Sequence, residues 1–246
     1  MHTLFISDLH LCQERPDKLE LFRQLLRGKA RQAKALYILG DLFEAWAGDD
    51  DNTPPHQAII SELAEFSRSG TPLYVMRGNR DFLIGRDFAR KTGGEMIEDP
   101  TAIMLYGQKT LLMHGDTLCT SDTSYQLYRK MANNRLSIAL FKCLPFFIRK
   151  RLWHGVRHLT RKSSQQKPPE IVDVQQSAVV SVMREYGVRT LIHGHTHREG
   201  VHPFKIDGAI ATRYVLGDWY EKDSILVADK YEPRLLRVEA YLDENV

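Results

Sequence analysis

The sequence predicts an α/β fold: a body of mixed β-sheet flanked by helices and interrupted by a helical cap insertion. Three observations carry that reading. Five short apolar runs have the length and the β-branched or aromatic content of buried strands. Stretches with helical spacing lie between them. From residue 121 to residue 169 this alternation stops and an amphipathic helical pattern replaces it. The whole chain, 1–246, reads as one domain with 121–169 inserted into it.

The elements follow in order. The first strand runs from Thr3 to Ser7 and meets Asp8-Leu9-His10. Leu19, Phe22, Leu25 and Leu26 then recur on one helical face. Ala35 to Leu39 is the second strand and ends at Gly40-Asp41. Ile59, Ile60, Leu63 and Phe66 mark a second helix. Pro72 to Met76 is the third strand, followed by Gly78-Asn79-Arg80-Asp81. Thr110 to Met113 is the fourth and ends at His114-Gly115-Asp116. In the insertion, Tyr125, Tyr128, Met131, Leu136, Leu140, Leu144 and Ile148 predict one or two amphipathic helices broken near Pro145. A polar, mobile stretch is expected from Arg161 to Pro169. A further helix is expected from Glu170 to Tyr186, with Ile171, Val174, Val179, Val182 and Met183 inward. Thr190 to His193 is the fifth strand and runs into Gly194-His195-Thr196-His197. The tail from Ala209 to Leu242 reads as short strands and turns, including Arg213 to Leu216 and Ser224 to Val227.

Composition narrows the class. The 246 residues are 43% hydrophobic and 26% charged, as in an ordinary soluble globular protein. No apolar run approaches the roughly 20 residues that span a bilayer. The N-terminus lacks a basic region and reads as having no signal peptide. Cys12, Cys119 and Cys143 are widely spaced and read as reduced thiols of a cytoplasmic protein. The net charge of +3 is unevenly spread. From Thr123 to Pro169 there are eleven basic residues and no acid. Removing those eleven from the 34 basic residues leaves 23 against 31 acidic ones, a net of −8. An acidic body carrying a basic segment points to a phosphate-bearing partner or an anionic membrane surface.

Every predicted strand ends in Asp, Asn or His. Ligand sites of α/β sheets lie beyond the carboxyl ends of strands, so five separate points of the chain should build one cluster. Asp8 and His10, and likewise His195 and His197, are two apart and share a side of an extended backbone. Seven donors, Asp8, His10, Asp41, Asn79, His114, His195 and His197, suit two ions sharing a carboxylate, and Asp41 is the best bridge. Two such ions can clamp the attacking and leaving oxygens of a displacement at phosphorus. Imidazole, carboxylate and amide donors favour Mn, Fe or Zn over Ca. Glu44 and Asp116 read as hydrogen-bond partners of the ligands. His193 reads as packed, and Asp49, Asp50 and Asp51 as a solvated loop.

DLH, GD, GNRD, HGD and GHTH, in this order, resemble the calcineurin-like metallophosphoesterases. The resemblance implies a sandwich of mixed β-sheets flanked by helices. One departure matters: much of that family has His after the Asn, where this chain has Arg80. Arginine cannot give up its proton at working pH. Arg80 is therefore expected to clamp phosphate, with Asp81 orienting it, and the leaving group must need no proton.

More narrowly, YILGDLFEAWAGDDD, GNRDFLIG, HGDTLCTSD and LIHGHTHREGVH resemble the UDP-2,3-diacylglucosamine diphosphatases of lipid A biosynthesis. That resemblance implies hydrolysis at the α-phosphate to UMP and the acylated sugar 1-phosphate, with two Mn²⁺. It implies one ion on Asp8, His10, Asp41 and His197 and the other on Asp41, Asn79, His114 and His195. Catalysis falls to Asp41, Asn79, Arg80, His114 and His195. Substrate contacts fall to Asn79, Arg80, Asp122, Lys167 and His195, and more loosely to Thr160 and Ser164. The insertion fits a glycolipid nucleotide: Leu140, Phe141, Leu144, Phe146, Phe147, Ile148, Leu152 and Trp153 are candidates for an acyl groove. Its bases suit phosphate or the cytoplasmic face of an inner membrane, bound peripherally. No nucleic-acid partner is expected. Two other readings compete: a nuclease or cyclic-nucleotide phosphodiesterase on the same scaffold, and a membrane-surface scaffold with a structural metal.

Overall fold

Alternation along the first strand sets the layers. In β1 (Thr3–Ile6), Leu4 and Ile6 face one core and Phe5 faces another, as the two-residue period of a strand requires. The protein's structure, a computed structural model, describes residues 1–165, 171 and 173–244, with the side chains of 135, 154 and 157–165 outside that description. After β1 come α1 (Pro16–Arg27), β2 (Ala35–Leu39), α2 (His56–Arg68), β3 (Leu73–Met76), α3 (Arg86–Thr92), β4 (Glu95–Ile97), β5 (Thr101–Leu105) and β6 (Gln108–Met113). Then follow α4 (Thr123–Ala132), α5 (Arg135–Lys142), α6 (Phe146–Gln165), α7 (Gln176–Tyr186), β7 (Thr190–His193), β8 (Gly200–Ile206), β9 (Ala209–Val215), β10 (Ser224–Ala228), β11 (Arg234–Arg237) and α8 (Val238–Asp243).

Two mixed sheets result. One has the order β11-β10-β1-β2-β3-β4 and the other β5-β6-β7-β9-β8. Leu36, Ile38, Leu73 and Val75 join Leu4 and Ile6 under Phe22, Leu25, Leu63 and Phe66 of α1 and α2. Phe5, Leu39, Met76 and Leu226 meet Leu112, Ile192 and Tyr214 of the other sheet, so the sheets face each other across a shared core. Leu111, Met113 and Leu191 pack against Val179 and Met183 of α7. The order helix, sheet, sheet, helix is a sandwich of mixed sheets flanked by helices, as the resemblance implied.

The structure differs from the sequence reading at several elements. Among the described residues, three helices, α4 to α6, fall within 121–169, where the sequence predicts one or two. Asn134 separates the first two because its side chain accepts from the Leu136 and Ser137 N–H groups and starts a new helix. The helix expected from Glu170 to Tyr186 is broken: Ile171 is helical, residues 173–175 are not, and α7 starts at Gln176. There the Gln175 N–H donates to Leu118 O at 2.9 Å, while Asp173 is held by Arg198. The stretch from 166 to 170 lies outside the described residues. β4, β5 and β8 are edge strands whose residues are mostly half-buried or exposed; β4 and β8 show no apolar run, while the sequence reading passes over the Ala102–Leu105 run of β5.

Candidate metal centre

β1, β2 and β3 run parallel, as do β6, β7 and β9, so each set delivers its carboxyl ends to one side. Asp8, Asp41, Asn79, His114 and His195 each stand one to three residues beyond β1, β2, β3, β6 and β7. Backbone bonds hold these loops together: Asp8 N to Gly40 O at 3.1 Å, His10 N to Asp41 O at 3.0 Å, and Gly194 N to His114 O at 2.9 Å. Asp8, His10, Asp41, His195 and His197 have φ between 50° and 69°. Side chains other than glycine rarely adopt that region, and each instance costs of order 1–3 kcal/mol. A Cβ on Gly78 would strike the Asp41 carboxylate and backbone nitrogen, so glycine is required by the close approach of two loops.

The donor atoms converge. Asp8 Oδ2 accepts from Ser7 Oγ at 2.6 Å and from His195 N at 2.8 Å. Its Oδ1 is buried with no hydrogen-bond partner, 3.4 Å from His197 Nε2 and 3.9 Å from His10 Nε2. The two oxygens of Asp41 face different ways: Oδ1 lies 3.8 Å from His114 Nε2, and Oδ2 lies 3.9 Å from His10 Nδ1. Asn79 Oδ1 sits between His114 Nε2 at 2.9 Å and His195 Nδ1 at 3.1 Å. Two triads place donors within 4.8 Å of one another: Asp8, His10 and His197, and Asp8, Asp41 and His114. All seven residues singled out in the sequence thus line one cluster.

The cluster fits divalent cations. Asp8 and Asp41 are 0% and 1% exposed, and buried carboxylates demand neutralisation. Burial works against charging His114, yet Asp41, Asp8 and Asp116 outweigh it and hold its pKa up at about 9. At His197 burial is likewise overcome, by Asp218 and Asp8, and the pKa rises to about 10. His195 goes the other way, pushed down to about 4 by burial and by His114. The carboxylate field that a cation would neutralise keeps protons on two imidazoles. An orphaned carboxylate oxygen beside imidazole and amide donors suits Mn, Fe or Zn.

Outer contacts fix the ring orientations. His114 Nδ1 lies 2.9 Å from Leu39 O, which leaves Nε2 facing the cluster. His197 Nδ1 lies 3.2 Å from Asp218 Oδ2. The sequence search missed Asp218, although a signal was present: the apolar run before Gly217-Asp218 repeats the pattern before Gly40-Asp41. Asp116 accepts from Tyr125 Oη at 2.8 Å and Arg129 Nε at 2.5 Å, while Asp99 Oδ1 accepts from His114 N at 3.3 Å.

Asp81 does not orient Arg80. It is 0% exposed, and its carboxylate accepts from Leu42 N at 2.7 Å, Gly78 N at 2.8 Å and Phe43 N at 3.4 Å. Backbone donors saturate it and tie the two loops together. Arg80 is held by Glu44 and by Tyr220 Oη at 3.0 Å, with Nε 3.5 Å from Asp41 Oδ2. The acidic run is not merely solvated. Asp49 accepts from the Gly85, Asp87 and Phe88 N–H groups at the start of α3, Asp50 pairs with Arg149, and buried Asp51 lies 3.4 Å from His56.

Asp122 caps α4, accepting from Tyr125 N at 3.0 Å and Ser124 Oγ at 2.9 Å. Thr160, Ser164 and Lys167, expected to touch substrate, lie outside the described residues or side chains. Of the groove residues, Phe141, Leu152 and Trp153 line an apolar cavity with Phe82, Leu83, Tyr128 and Ile138. Leu140 and Phe147 are instead exposed. Arg149, among the eleven bases, faces inward: it is 4% exposed and donates to Ala47 O at 2.7 Å and Leu144 O at 3.0 Å.

Residues 1–199 match the family described as calcineurin-like phosphoesterase. A Vibrio vulnificus (strain CMCP6) protein named UDP-2,3-diacylglucosamine hydrolase is 48% identical over 233 residues, 94% of this chain and 96% of that one. A protein of the same name from Pseudomonas entomophila (strain L48) is 49% identical over 227 residues, covering 92% and 95%. A third, from Aeromonas hydrophila subsp. hydrophila, is 45% identical over 235 residues, covering 96% and 98%.

Proposed function

The chain belongs to the calcineurin-like phosphoesterase family, and on that premise we propose that it hydrolyses the diphosphate of UDP-2,3-diacylglucosamine, a step of lipid A biosynthesis. The observation that carries this reading is a single turn. Asn79 lies in the cluster, Arg80 beside it, and Phe82 and Leu83 line the apolar cavity. A phosphate at the cluster and a hydrocarbon chain in the cavity are thus served by five consecutive residues.

Attack of water at the α-phosphorus forms one P–O bond and breaks the bond to the bridging oxygen. UMP keeps the water oxygen, and 2,3-diacylglucosamine 1-phosphate leaves with the bridging one. That leaving group needs no proton, which agrees with a permanently charged arginine at the site. Arg80 aims its guanidinium at the phosphate oxygens and balances the charge that builds on them. Asp8, His10, Asp41 and His197 would hold one Mn²⁺, and Asp41, Asn79, His114 and His195 the other. The two-sided Asp41 carboxylate supports a bridging role. Bound there, the ions would supply Lewis acidity at the phosphate and lower the pKa of water. Asn79, Arg80 and His195 would also touch substrate, joined by Asp122, Lys167, Thr160 and Ser164.

Residues 121–169 act as the cap in this reading. Exposed Leu127, Met131, Leu136, Leu140 and Phe147 beside Lys130, Lys142 and Arg151 suit peripheral contact with an anionic inner-membrane face. Among the described residues no helix is long and apolar enough to cross a membrane. The direct test is incubation with Mn²⁺ and the glycolipid in detergent micelles, with single-stranded DNA and a simple phosphodiester as parallel substrates. UMP from the glycolipid alone is expected. Cleavage of the other two with an intact glycolipid would replace this reading by a nuclease or phosphodiesterase.

A further inference from the structure

Tyr220 stands in the wall of the cluster, and no sequence pattern pointed to it. Its phenol donates to Glu44 Oε2 at 2.5 Å and accepts from Arg80 Nη1 at 3.0 Å. Glu44 also takes Arg80 Nη1, so the three side chains close a triangle. The ring lies over His10, with centroids 5.0 Å apart and planes 25° apart. The Tyr220 N–H donates to Asp218 Oδ1 at 2.7 Å, and the other oxygen of Asp218 lies 3.2 Å from His197 Nδ1. Arg15 fixes the residue from outside, donating to Tyr220 O at 3.1 Å with its guanidinium 5.4 Å from the ring centroid. One short turn therefore touches two imidazoles of the cluster and the arginine beside it.

We infer that Tyr220 is a positioning residue for Arg80: with Glu44 it locks the guanidinium in place beside Asp41, ready for phosphate. The inference rests on the reading of Arg80 as the phosphate clamp. An arginine side chain has several rotatable bonds, and one held only by an exposed carboxylate would sample many directions. Glu44 is itself partly exposed and carries a charge opposite to that of Arg80. Left unrestrained, it could draw the guanidinium out toward solvent. The phenol donates to that carboxylate and accepts from the arginine, which fixes both ends of the pair in one geometry. A purely structural alternative exists: the ring packs on His10, and the hydroxyl is incidental. Tyr220→Phe separates the two, because it keeps the ring and removes only the triangle.

The experiment is a double-mutant cycle. UMP release from the glycolipid and Mn²⁺ content are measured for wild type, Tyr220→Phe, Arg80→Ala and the double variant, with Glu44→Gln as a second entry into the triangle. Loss of a hydrogen bond to a charged group predicts a fall in kcat of about tenfold for Tyr220→Phe. Bound Mn²⁺ and KM should stay at wild-type values. In the Arg80→Ala background, Tyr220→Phe and Glu44→Gln should cost nothing more, since the group they position is gone. Multiplying losses, a wild-type rate in Tyr220→Phe, or a fall in its Mn²⁺ content would each overturn the inference. If Arg80→Ala itself turns over at the wild-type rate, the clamp reading fails, and that result is distinct from the others.

Discussion

Replacing Arg149 by methionine should loosen the cap helices from the body while leaving the cluster intact. The side chain is 4% exposed and donates to Ala47 O and Leu144 O while pairing with Asp50. Methionine keeps most of the aliphatic stem, so the change removes the donors more than the volume. Each buried carbonyl left without a donor costs about 1–3 kcal/mol. Relief from burying a guanidinium offsets part of that, leaving a net loss of about 2–3 kcal/mol. For a chain of this size each kcal/mol shifts Tm by roughly 2–4 °C, so Tm should fall by about 5–10 °C. The Asp50 side chain is 58% exposed, and such a pair contributes at most about 1 kcal/mol. Asp50→Ala should therefore cost less than about 4 °C. Thermal unfolding by circular dichroism at matched Mn²⁺ content measures both. Because Leu152 and Trp153 of α6 line the apolar cavity, kcat/KM for the glycolipid should fall more than kcat. Equal losses in the two variants would show that the ion pair, and not the carbonyl bonds, holds α6. An unchanged Tm in Arg149→Met would refute the anchoring altogether.

Gly78→Ala should weaken Mn²⁺ binding by about 10–100-fold, because the added methyl displaces the Asp41 carboxylate; metal titration reads this directly. With ¹⁸O-labelled water the label should appear in UMP and not in the sugar phosphate by mass spectrometry; the reverse would move the attack to the other phosphorus. The pH dependence of the metal-free protein follows from His114 at about 9 and His197 at about 10, both above the ordinary histidine value of about 6.5. A raised folded pKa stabilises fully below the unfolded value, and the contribution is lost as pH rises through the folded value. Metal-free Tm should thus decline from about pH 6.5 to 10. Mn²⁺ binding at pH 7 should release protons, seen by calorimetry in buffers of different ionisation heat.

Much of the cluster was legible because each donor follows a buried strand, and buried strands betray themselves by composition. Asp8, Asp41, Asn79, His114, His195 and His197 all lie within four residues of such a strand. Asp218 obeys the same rule after β9, but a strand read as part of a loose tail hid it. Tyr220 carries no local pattern, and Glu44 reads from sequence only as a partner of the ligands, since its contact with Tyr220 is a meeting of loops 176 residues apart. The acidic run misled for a related reason. Three adjacent Asp look solvated, yet one starts α3, one pairs with Arg149 and one lies beside His56. Asp81 misled by adjacency: it neighbours Arg80 in sequence, but three backbone N–H groups claim its carboxylate. Sandwich topology was legible only through resemblance, because edge strands such as β4 and β8 bury too little to show an apolar run.

The most direct measurement is a Mn²⁺ titration in which bound metal and UMP release from the glycolipid are read on the same samples, for wild type and Asp41→Asn. A two-ion site bridged by Asp41 requires that wild-type activity rise with the second equivalent. It also requires that Asp41→Asn hold at most one ion and release UMP only at background. Full activity with one ion bound, or undiminished UMP release by Asp41→Asn, would contradict it.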